Sequence, residues 1–257
     1  MKDINQIFTD WYTDIYDDME NCSGDIELFL ELIGGKPANI LEIGCGNGRI
    51  LIPLAEAGHN ILGFDLAENM LNSIRKKCTL PNLRYQYIDA ISDDWGMEYD
   101  IVIMGGNLLH NVEGDISYKD IQALFIRKAS LALNNGGHLL IDFELFAYPE
   151  LVFIADDGRL IYEGIDSTGV VGKFYVFCDS YDATTHYAAG RRRFEFTMPD
   201  GQVEYINQTW SKHILTLEQV YSWLNSSGIE VELLYGDYNK NPISDNTNRA
   251  IIWAVKK

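Results

Sequence analysis

Residues 39–48 read Asn39-Ile40-Leu41-Glu42-Ile43-Gly44-Cys45-Gly46-Asn47-Gly48, and this stretch decides the fold. A short apolar run that ends in Gly-x-Gly-x-Gly is a strand turning sharply into a helix. Glycine lacks Cβ, so the chain bends tightly there and a ligand can lie against main-chain atoms. Free N–H groups at the start of the following helix attract an anionic group. Alone, the loop serves more than one nucleotide-bearing cofactor, because dinucleotide-binding domains also place one after their first strand.

Outward from the loop, short apolar runs alternate with segments of helical period across residues 39–143. The further runs are Asn60-Ile-Leu-Gly-Phe-Asp65, Leu83-Arg-Tyr-Gln-Tyr-Ile88, Asp100-Ile-Val-Ile-Met104 and His138-Leu-Leu-Ile-Asp142. Between them Met70, Leu71, Ile74 and Cys78 fall at helical spacing. So do Ile121, Leu124, Phe125, Ala129, Ala132 and Leu133, with a stop expected at Asn134-Asn135-Gly136-Gly137. This alternation predicts βαβ units around a parallel sheet, an α/β fold.

From about residue 160 to 214 the pattern changes to β-prone runs separated by turn residues. Pro199-Asp200-Gly201 reads as a hairpin. This predicts an antiparallel meander inserted into the α/β domain. The α/β pattern then resumes: Thr216-Leu217-Glu218-Gln219 has capping-box spacing and opens a helix through Val220, Tyr221 and Leu224. Strands near residues 229–235 and 250–255 finish the chain.

The 257 residues carry 38 acidic and 20 basic side chains, a net charge of −18. Nucleic-acid binders neutralise phosphates with a basic face, so the balance argues against nucleic acid and anionic membranes as partners. Of the two basic runs, Arg75-Lys76-Lys77 falls at a helix end, where cations favour the macrodipole. The other, Arg191-Arg192-Arg193, reads as a solvated strand. A neutral or cationic small molecule is the better partner, and a homodimer is left open. Met1-Lys2-Asp3-Ile4-Asn5 shows no apolar leader, and no apolar run approaches the ~20 residues that span a bilayer. Cys22, Cys45, Cys78 and Cys178 lack CxxC spacing, which predicts a cytoplasmic protein with free thiols. No Cys or His spacing suits a metal.

Two details bear on the loop. A dinucleotide fingerprint is GxGxxG, with two residues before the third glycine to seat a pyrophosphate. Here Asn47 alone precedes Gly48. Asp65 ends the second strand, where a carboxylate accepts ribose hydroxyl protons; this favours a nucleoside without choosing which.

At this point the chain resembles the class I S-adenosylmethionine (SAM)-dependent methyltransferases. Glu42-Ile43-Gly44-Cys45-Gly46-Asn47-Gly48 is similar to their first motif, and Asp65-Leu66-Ala67-Glu68-Asn69-Met70-Leu71 to their second. Asp89-Ala90 is similar to their adenine-amine contact, and Leu133-Asn-Asn-Gly136-Gly137-His-Leu-Leu-Ile141 to their turn into the fifth strand. Ala67 departs from the Ser that often caps the helix there. The resemblance implies a doubly wound, Rossmann-like sheet of seven strands in the order 3-2-1-4-5-7-6, its last strand antiparallel. It implies one domain over residues 1–257: lid helices in 1–35, a SAM-binding core in 39–145, a β insertion over the active site in 150–214 and a return to the core in 215–257. The implied cofactor contacts are Tyr12, Tyr16, Gly44, Cys45, Gly46, Gly48, Asp65, Leu66, Met70, Asp89, Ala90, Met104 and Gly105, with S-adenosylhomocysteine as the product. Tyr12 and Tyr16 belong to Trp11-Tyr12-Thr13-Asp14-Ile15-Tyr16-Asp17, which looks like a Tyr-rich lid helix.

A sulfonium methyl is already activated, so the protein mainly aligns a nucleophile for in-line attack. In open α/β sheets ligands lie beyond the carboxyl ends of the strands, which points to Met104-Gly105-Gly106-Asn107-Leu108-Leu109-His110. His110 is the acid/base candidate, weighed against a loop histidine that shapes the pocket. Asn107 is the candidate to orient an amine or the cofactor, weighed against simple turn formation. His59, His138, His186 and His213 read as surface or structural.

Gly106-Asn107-Leu108-Leu109-His110 also resembles the matching segment of glycine and glycine/sarcosine N-methyltransferases, and Tyr235-Gly236-Asp237-Tyr238 looks like that group and the amino-sugar N-methyltransferases. Glycine methyltransferases carry an arginine just after the fifth strand that grips the substrate carboxylate. This chain has Glu144 there, which repels glycine and attracts a cationic amine. The leading reading is methyl transfer to a small-molecule amine. O-methylation, a non-catalytic SAM-binding module, a peptide or protein acceptor and NAD-dependent oxidoreduction stand as alternatives, the last disfavoured by the loop spacing.

Overall fold

A computed structural model describes residues 3–20, 23–154 and 157–257; Met1, Lys2 and Cys22 of the readings above lie outside the described residues. The elements begin with α1 (Ile4–Met19), α2 (Gly24–Ile33), β1 (Asn39–Ile43), α3 (Leu51–Glu56), β2 (Asn60–Asp65), α4 (Glu68–Lys77) and β3 (Leu83–Tyr87). Next come β4 (Tyr99–Met104), a 3-10 turn (Leu108–His110), α5 (Tyr118–Ala132), β5 (Leu133–Glu144) and α6 (Pro149–Val152). The chain continues through β6 (Arg159–Ile165), β7 (Val171–Asp182), β8 (Tyr187–Thr197) and β9 (Val203–His213). It ends with α7 (Leu217–Ser226), β10 (Ile229–Tyr235) and β11 (Arg249–Lys256). They form two compact units, one from residues 22–147 and 215–257, the other from 1–21 and 148–214.

The larger unit is a seven-stranded sheet in the order β10-β11-β5-β4-β1-β2-β3. Strands β1 to β5 pair in parallel, and β11 runs antiparallel to both β5 and β10. With the inserted strands set aside, this is the expected order 3-2-1-4-5-7-6. Successive strand residues point to opposite faces, and both faces are covered. Leu41, Ile43, Val102 and Ile141 pack with Ile121 and Phe125 of α5 and Val220 and Leu224 of α7. Ile40, Ile103 and Leu140 pack with Phe29 of α2, Leu54 of α3 and Ile74 of α4. Hence the central strands read as apolar runs rather than as alternating ones. The capping box at Thr216 and Gln219 opens α7 as its spacing predicts.

One boundary differs. Helix α5 ends at Ala132 and β5 begins at Leu133, ahead of the Asn-Asn-Gly-Gly stop. The parallel register passes from Tyr99↔Leu133 to Ile101↔His138, so residues 134–137 are taken up as an irregularity within the strand. Asn134 anchors it by donating its Nδ2–H to Asp100 at 3.0 Å.

The smaller unit is the inserted meander, an antiparallel sheet in the order β6-β7-β8-β9. The predicted β8–β9 hairpin closes where Met198 N–H donates to the Gln202 carbonyl at 2.8 Å. Trp11 and Ile15 of α1 bury against Val170, Phe194 and Phe196 of this sheet. Gly172 makes room for the indole, since a Cβ there would stand 2.2 Å from its ring. Trp11 Nε1–H donates to the Gly164 carbonyl at 3.1 Å. The segment expected to carry lid helices is therefore divided, α1 going to the meander's unit and α2 to the core of the larger one. Among the described residues no helix is long and apolar enough to cross a membrane.

Candidate active site

The glycine loop leaves β1 with Gly44, Gly46 and Gly48 all at positive φ. Gly44 is constrained twice: its φ is +68°, and a Cβ would stand 2.7 Å from Leu108 Cδ1. Gly44 and Cys45 N–H both donate to the Phe64 carbonyl at 2.9 and 3.1 Å. Asp65, ending the adjacent strand, ties two turns together. Its Oδ2 accepts Gly46 N–H and its Oδ1 accepts Ala67 N–H, each at 2.8 Å. Ala67 opens α4 without a side-chain cap; the bond from its own N–H to Asp65 fixes the turn just before the helix.

Beside the loop lies a cavity of about 200 Å³ wholly within the larger unit. Gly44, Asp65, Leu66, Asp89 and Ala90, five of the contacts that the resemblance implies, line it together with Ile43, Phe64, Ile88, Ile91, Leu108, Asn111, Val112, Glu113 and Phe125. Ile88 and Ile91 flank a motif that the sequence marks. Leu108 lies in the segment after the fourth strand that the sequence singles out, whereas Val112 and Phe125 carry no such signal and reach the cavity only through folding. Asp89 Oδ1 accepts Ile91 N–H at 2.9 Å and its Oδ2 accepts the Ser92 hydroxyl at 2.8 Å. These bonds, the Ile91 one first, hold its carboxyl below the ordinary range.

The remaining implied contacts are placed as follows. Met104 is fully buried in the apolar core, and Met70 is 7% exposed on α4. Cys45 packs under Gly63, and burial pushes its thiol well up, so it is no nucleophile. Gly105 backs onto Ile50 and Phe29. Tyr12 and Tyr16 share a face of α1 with ring centroids 5.9 Å apart, and Tyr12 also packs on Phe8 and Phe194 within the meander's unit.

The two residues singled out for catalysis meet at one place, the main chain of Glu144. Asn107, in a left-handed conformation at φ 62°, accepts Glu144 N–H on Oδ1 at 2.5 Å. His110 donates Nε2–H to the Glu144 carbonyl at 3.1 Å. Its ring is 3% exposed and packs against Phe143 and Phe146. Glu144 itself lines a second cavity of about 480 Å³, with Tyr238, Asn241, Ser244, Asn246, Asn248 and Arg249 among its walls.

Buried charges brace these strand ends. Asp25 of α2 binds Arg49 through two bonds of 3.0 and 2.6 Å. Asp142 of β5 accepts from Arg249 at 2.6 Å and from the Tyr238 hydroxyl at 2.9 Å. Glu42 of β1 is 3% exposed, and among the described residues its Oε2 has no hydrogen-bond partner. Burial pushes its carboxyl up to about 8; Arg49 opposes the shift, while Asp65 and Asp25 add to it.

This sets a pH signature. The folded protein holds the Glu42 proton to about pH 8, whereas the unfolded chain releases it near 4.5. Its contribution to stability is therefore complete below the lower value and is lost as pH rises through the window. Glu42→Gln keeps the neutral shape and removes the titration. The melting temperature of the variant relative to the parent should rise steadily between pH 5 and pH 8 in calorimetric scans. A difference that is flat with pH would contradict a protonated Glu42.

Residues 41–139 match the family described as a methyltransferase domain. A ubiquinone biosynthesis O-methyltransferase of Methylococcus capsulatus is 26% identical over 178 residues, spanning 57% of this chain and 73% of that protein. The crystal structure of a SAM-dependent methyltransferase from Clostridium acetobutylicum superposes with a TM-score of 0.74 at 14% identity, over 98% of this chain and 99% of that one. The sugar N-methyltransferase KedS8 from Streptoalloteichus gives 0.71 at 16% identity, over 100% and 94%. Sheet order and matched domain together define the class I SAM-dependent methyltransferases. On that matched domain and fold the chain is a SAM-dependent methyltransferase, with SAM as its methyl donor.

Proposed function

We propose that the cavity beside Gly44 holds the adenosine end of SAM and that the methyl group goes to the nitrogen of a small amine. The lining suits a nucleoside. Asp65 offers carboxylate oxygens to ribose hydroxyls, each retaining acceptor capacity beyond its one backbone bond. Asp89 offers the same to a base amine, and Phe64, Leu66, Ile88 and Val112 provide apolar walls. Bound SAM supplies a methyl on a cationic sulfonium; the chain's part is alignment and exclusion of water.

The observation that carries the nitrogen reading is Glu144. It ends β5 at the carboxyl edge of the sheet and lines a polar cavity. Asn107 and His110, which follow β4, hold its main chain from both sides. On this reading His110 and Asn107 position Glu144 rather than touch the reacting atoms. The Glu144 carboxylate binds the amine through N–H and leaves its lone pair for in-line attack. An amine drawn in as its cation first loses one proton to solvent, then attacks as the neutral form. The N–C bond forms as the sulfonium S–C bond breaks to leave S-adenosylhomocysteine. The methylated ammonium releases its remaining excess proton to solvent afterwards, so no buried base is required. The solved sugar N-methyltransferase supports nitrogen, while the ubiquinone relative supports oxygen as the second reading.

A panel of small amines, phenols and alcohols assayed with labelled SAM decides between them. Glu144→Gln should raise KM for the amine about tenfold with little change in kcat, a loss of ~1.4 kcal/mol in ground-state attraction. Transfer to hydroxyl acceptors alone, indifferent to Glu144→Gln, would sink the nitrogen reading.

A further inference from the structure

We propose that Lys128 of α5 is a positioning residue for donor binding: it clamps residues 90–93 from behind and so sets the rim of the cavity on which the adenosine end of SAM rests. This depends on the assignment of that cavity and on nothing about the acceptor.

Lys128 Nζ donates to three main-chain carbonyls, Ala90 at 2.7 Å, Ile91 at 3.2 Å and Asp93 at 2.5 Å. Three acceptors need three N–H donors, which only the protonated ammonium supplies. The ammonium also stands 5.2 Å from the centre of the Trp95 ring, a cation–π contact strengthened by partial burial. Trp95 in turn donates Nε1–H to the same Ala90 carbonyl at 2.9 Å. Its ring is held edge-on to Phe64 and Phe125, 5.7 and 5.4 Å away, and both phenyl rings line the cavity.

The clamp acts on a turn that also carries short bonds of its own and packs Ala90 and Ile91 against the core. Asp93 N–H donates to the Asp89 carbonyl, and Asp89 N–H donates back to Asp93 Oδ2, each at 2.9 Å. Asp89, Ala90 and Ile91 form one wall of the cavity, whereas Lys128 is absent from its lining. Three convergent carbonyls and the carboxylates of Asp89, Asp93 and Asp94 repel one another, and Lys128 is the cation that faces them. Without it the carbonyls separate, and the wall residues leave the positions at which a base is gripped. The side chain thus works through the turn and touches neither donor nor acceptor.

The test is titration calorimetry of the full-length protein with SAM and with S-adenosylhomocysteine, alongside steady-state kinetics. Lys128→Met should raise both dissociation constants about tenfold, as expected for losing a charge-assisted group that orders a binding loop. KM for SAM should rise in parallel, while kcat and the acceptor KM stay within about twofold. Lys128→Arg retains the charge and several donors, and should recover most of the affinity. Trp95→Phe keeps an aromatic ring in the core but drops the bond to Ala90 and weakens the cation–π contact with Lys128, so a shift of about two- to threefold in the same direction is expected. It serves where Lys128→Met is too unstable to measure. Unchanged donor affinity in Lys128→Met, or a fall confined to kcat, overturns the proposal. Ile91→Trp, which fills the cavity, separates the two inferences. If it abolishes SAM binding while Lys128→Met leaves it intact, the clamp alone is wrong; if it leaves SAM binding intact, the cavity assignment fails and the clamp with it.

Discussion

Asp65→Ala is expected to weaken SAM binding by about 100-fold, because one carboxylate serves loop, turn and ligand together. Its oxygens accept Gly46 N–H and Ala67 N–H at 2.8 Å. Hydrogen bonds to a charged group contribute about 1.5–3 kcal/mol each, and part of that holds the glycine loop in the shape that receives the donor. The carboxylate also lines the cavity, so on the proposed adenosine assignment the variant loses a ribose contact as well. Asp65→Asn should fall between the two. Its amide keeps one acceptor oxygen but turns an N–H toward a backbone donor, which restores only one of the two turns. Calorimetric titration with S-adenosylhomocysteine gives the numbers, and thermal melts establish that the variants are folded. Binding by Asp65→Ala within about threefold of the parent would contradict the site.

Asp142→Ala should cost about 3 kcal/mol of folding stability. The carboxylate is 1% exposed and receives both the Arg249 guanidinium and the Tyr238 hydroxyl. Burial alone pushes its carboxyl up, and the Arg249 charge opposes that shift. Removing it strands a partly buried guanidinium and a hydroxyl. Breaking a buried pair from one side typically costs about 3–5 kcal/mol, and the lower end applies because the Arg249 side chain is 24% exposed. Urea unfolding measures the loss. In Asp142→Ala with Arg249→Met the penalties should add to less than their sum, since the second change removes the stranded charge. The Asp179–Arg191 pair of the meander is the contrast. Its side chains are 44% and 56% exposed, so Asp179→Ala should leave the urea midpoint close to that of the parent. Equal losses at the two sites would refute the argument from burial.

Much of this architecture is written locally. The apolar runs around Ile40, Ile61, Ile101 and Leu140 become central strands because each is short, bounded by turn residues and buried on both faces. The loop from Gly44 to Gly48, the Asp65 carboxylate and the Asp89-Ala90 pair sit at strand ends, where sequence position alone locates them. The capping box at Thr216 and the Asp200-Gly201 hairpin are likewise contacts between near neighbours. The Asn134 to Gly137 stretch was less legible: it carries a turn signal, yet pairing with β4 on both sides absorbs it into β5 as an irregularity.

The roles of Asn107 and His110 were not legible. Their residue types suit chemistry, but both side chains face the main chain of Glu144, 37 and 34 residues away. In the sequence His110 is weighed as an acid/base group against a loop histidine that shapes the pocket, and its partners, the Glu144 carbonyl and the Phe143 and Phe146 rings, are supplied only by the fold. Lys128 is a similar case. It has the spacing of an ordinary helix-surface lysine, and only the packing of α5 beside the third strand's loop brings it to carbonyls up to 38 residues distant.

By itself, then, the sequence determined the α/β class, the glycine loop, the two carboxylates beside the cavity and the inserted meander. These depend on periodicity, on glycine's freedom at positive φ and on bonds between adjacent residues. Only the tertiary structure decided which side chains close the cavity, that Asn107 and His110 meet at Glu144, and that Glu42 is buried deeply enough to keep its proton. Those properties depend on burial and on partners supplied by distant strands, and desolvation is a property of the assembled core rather than of any residue in the chain.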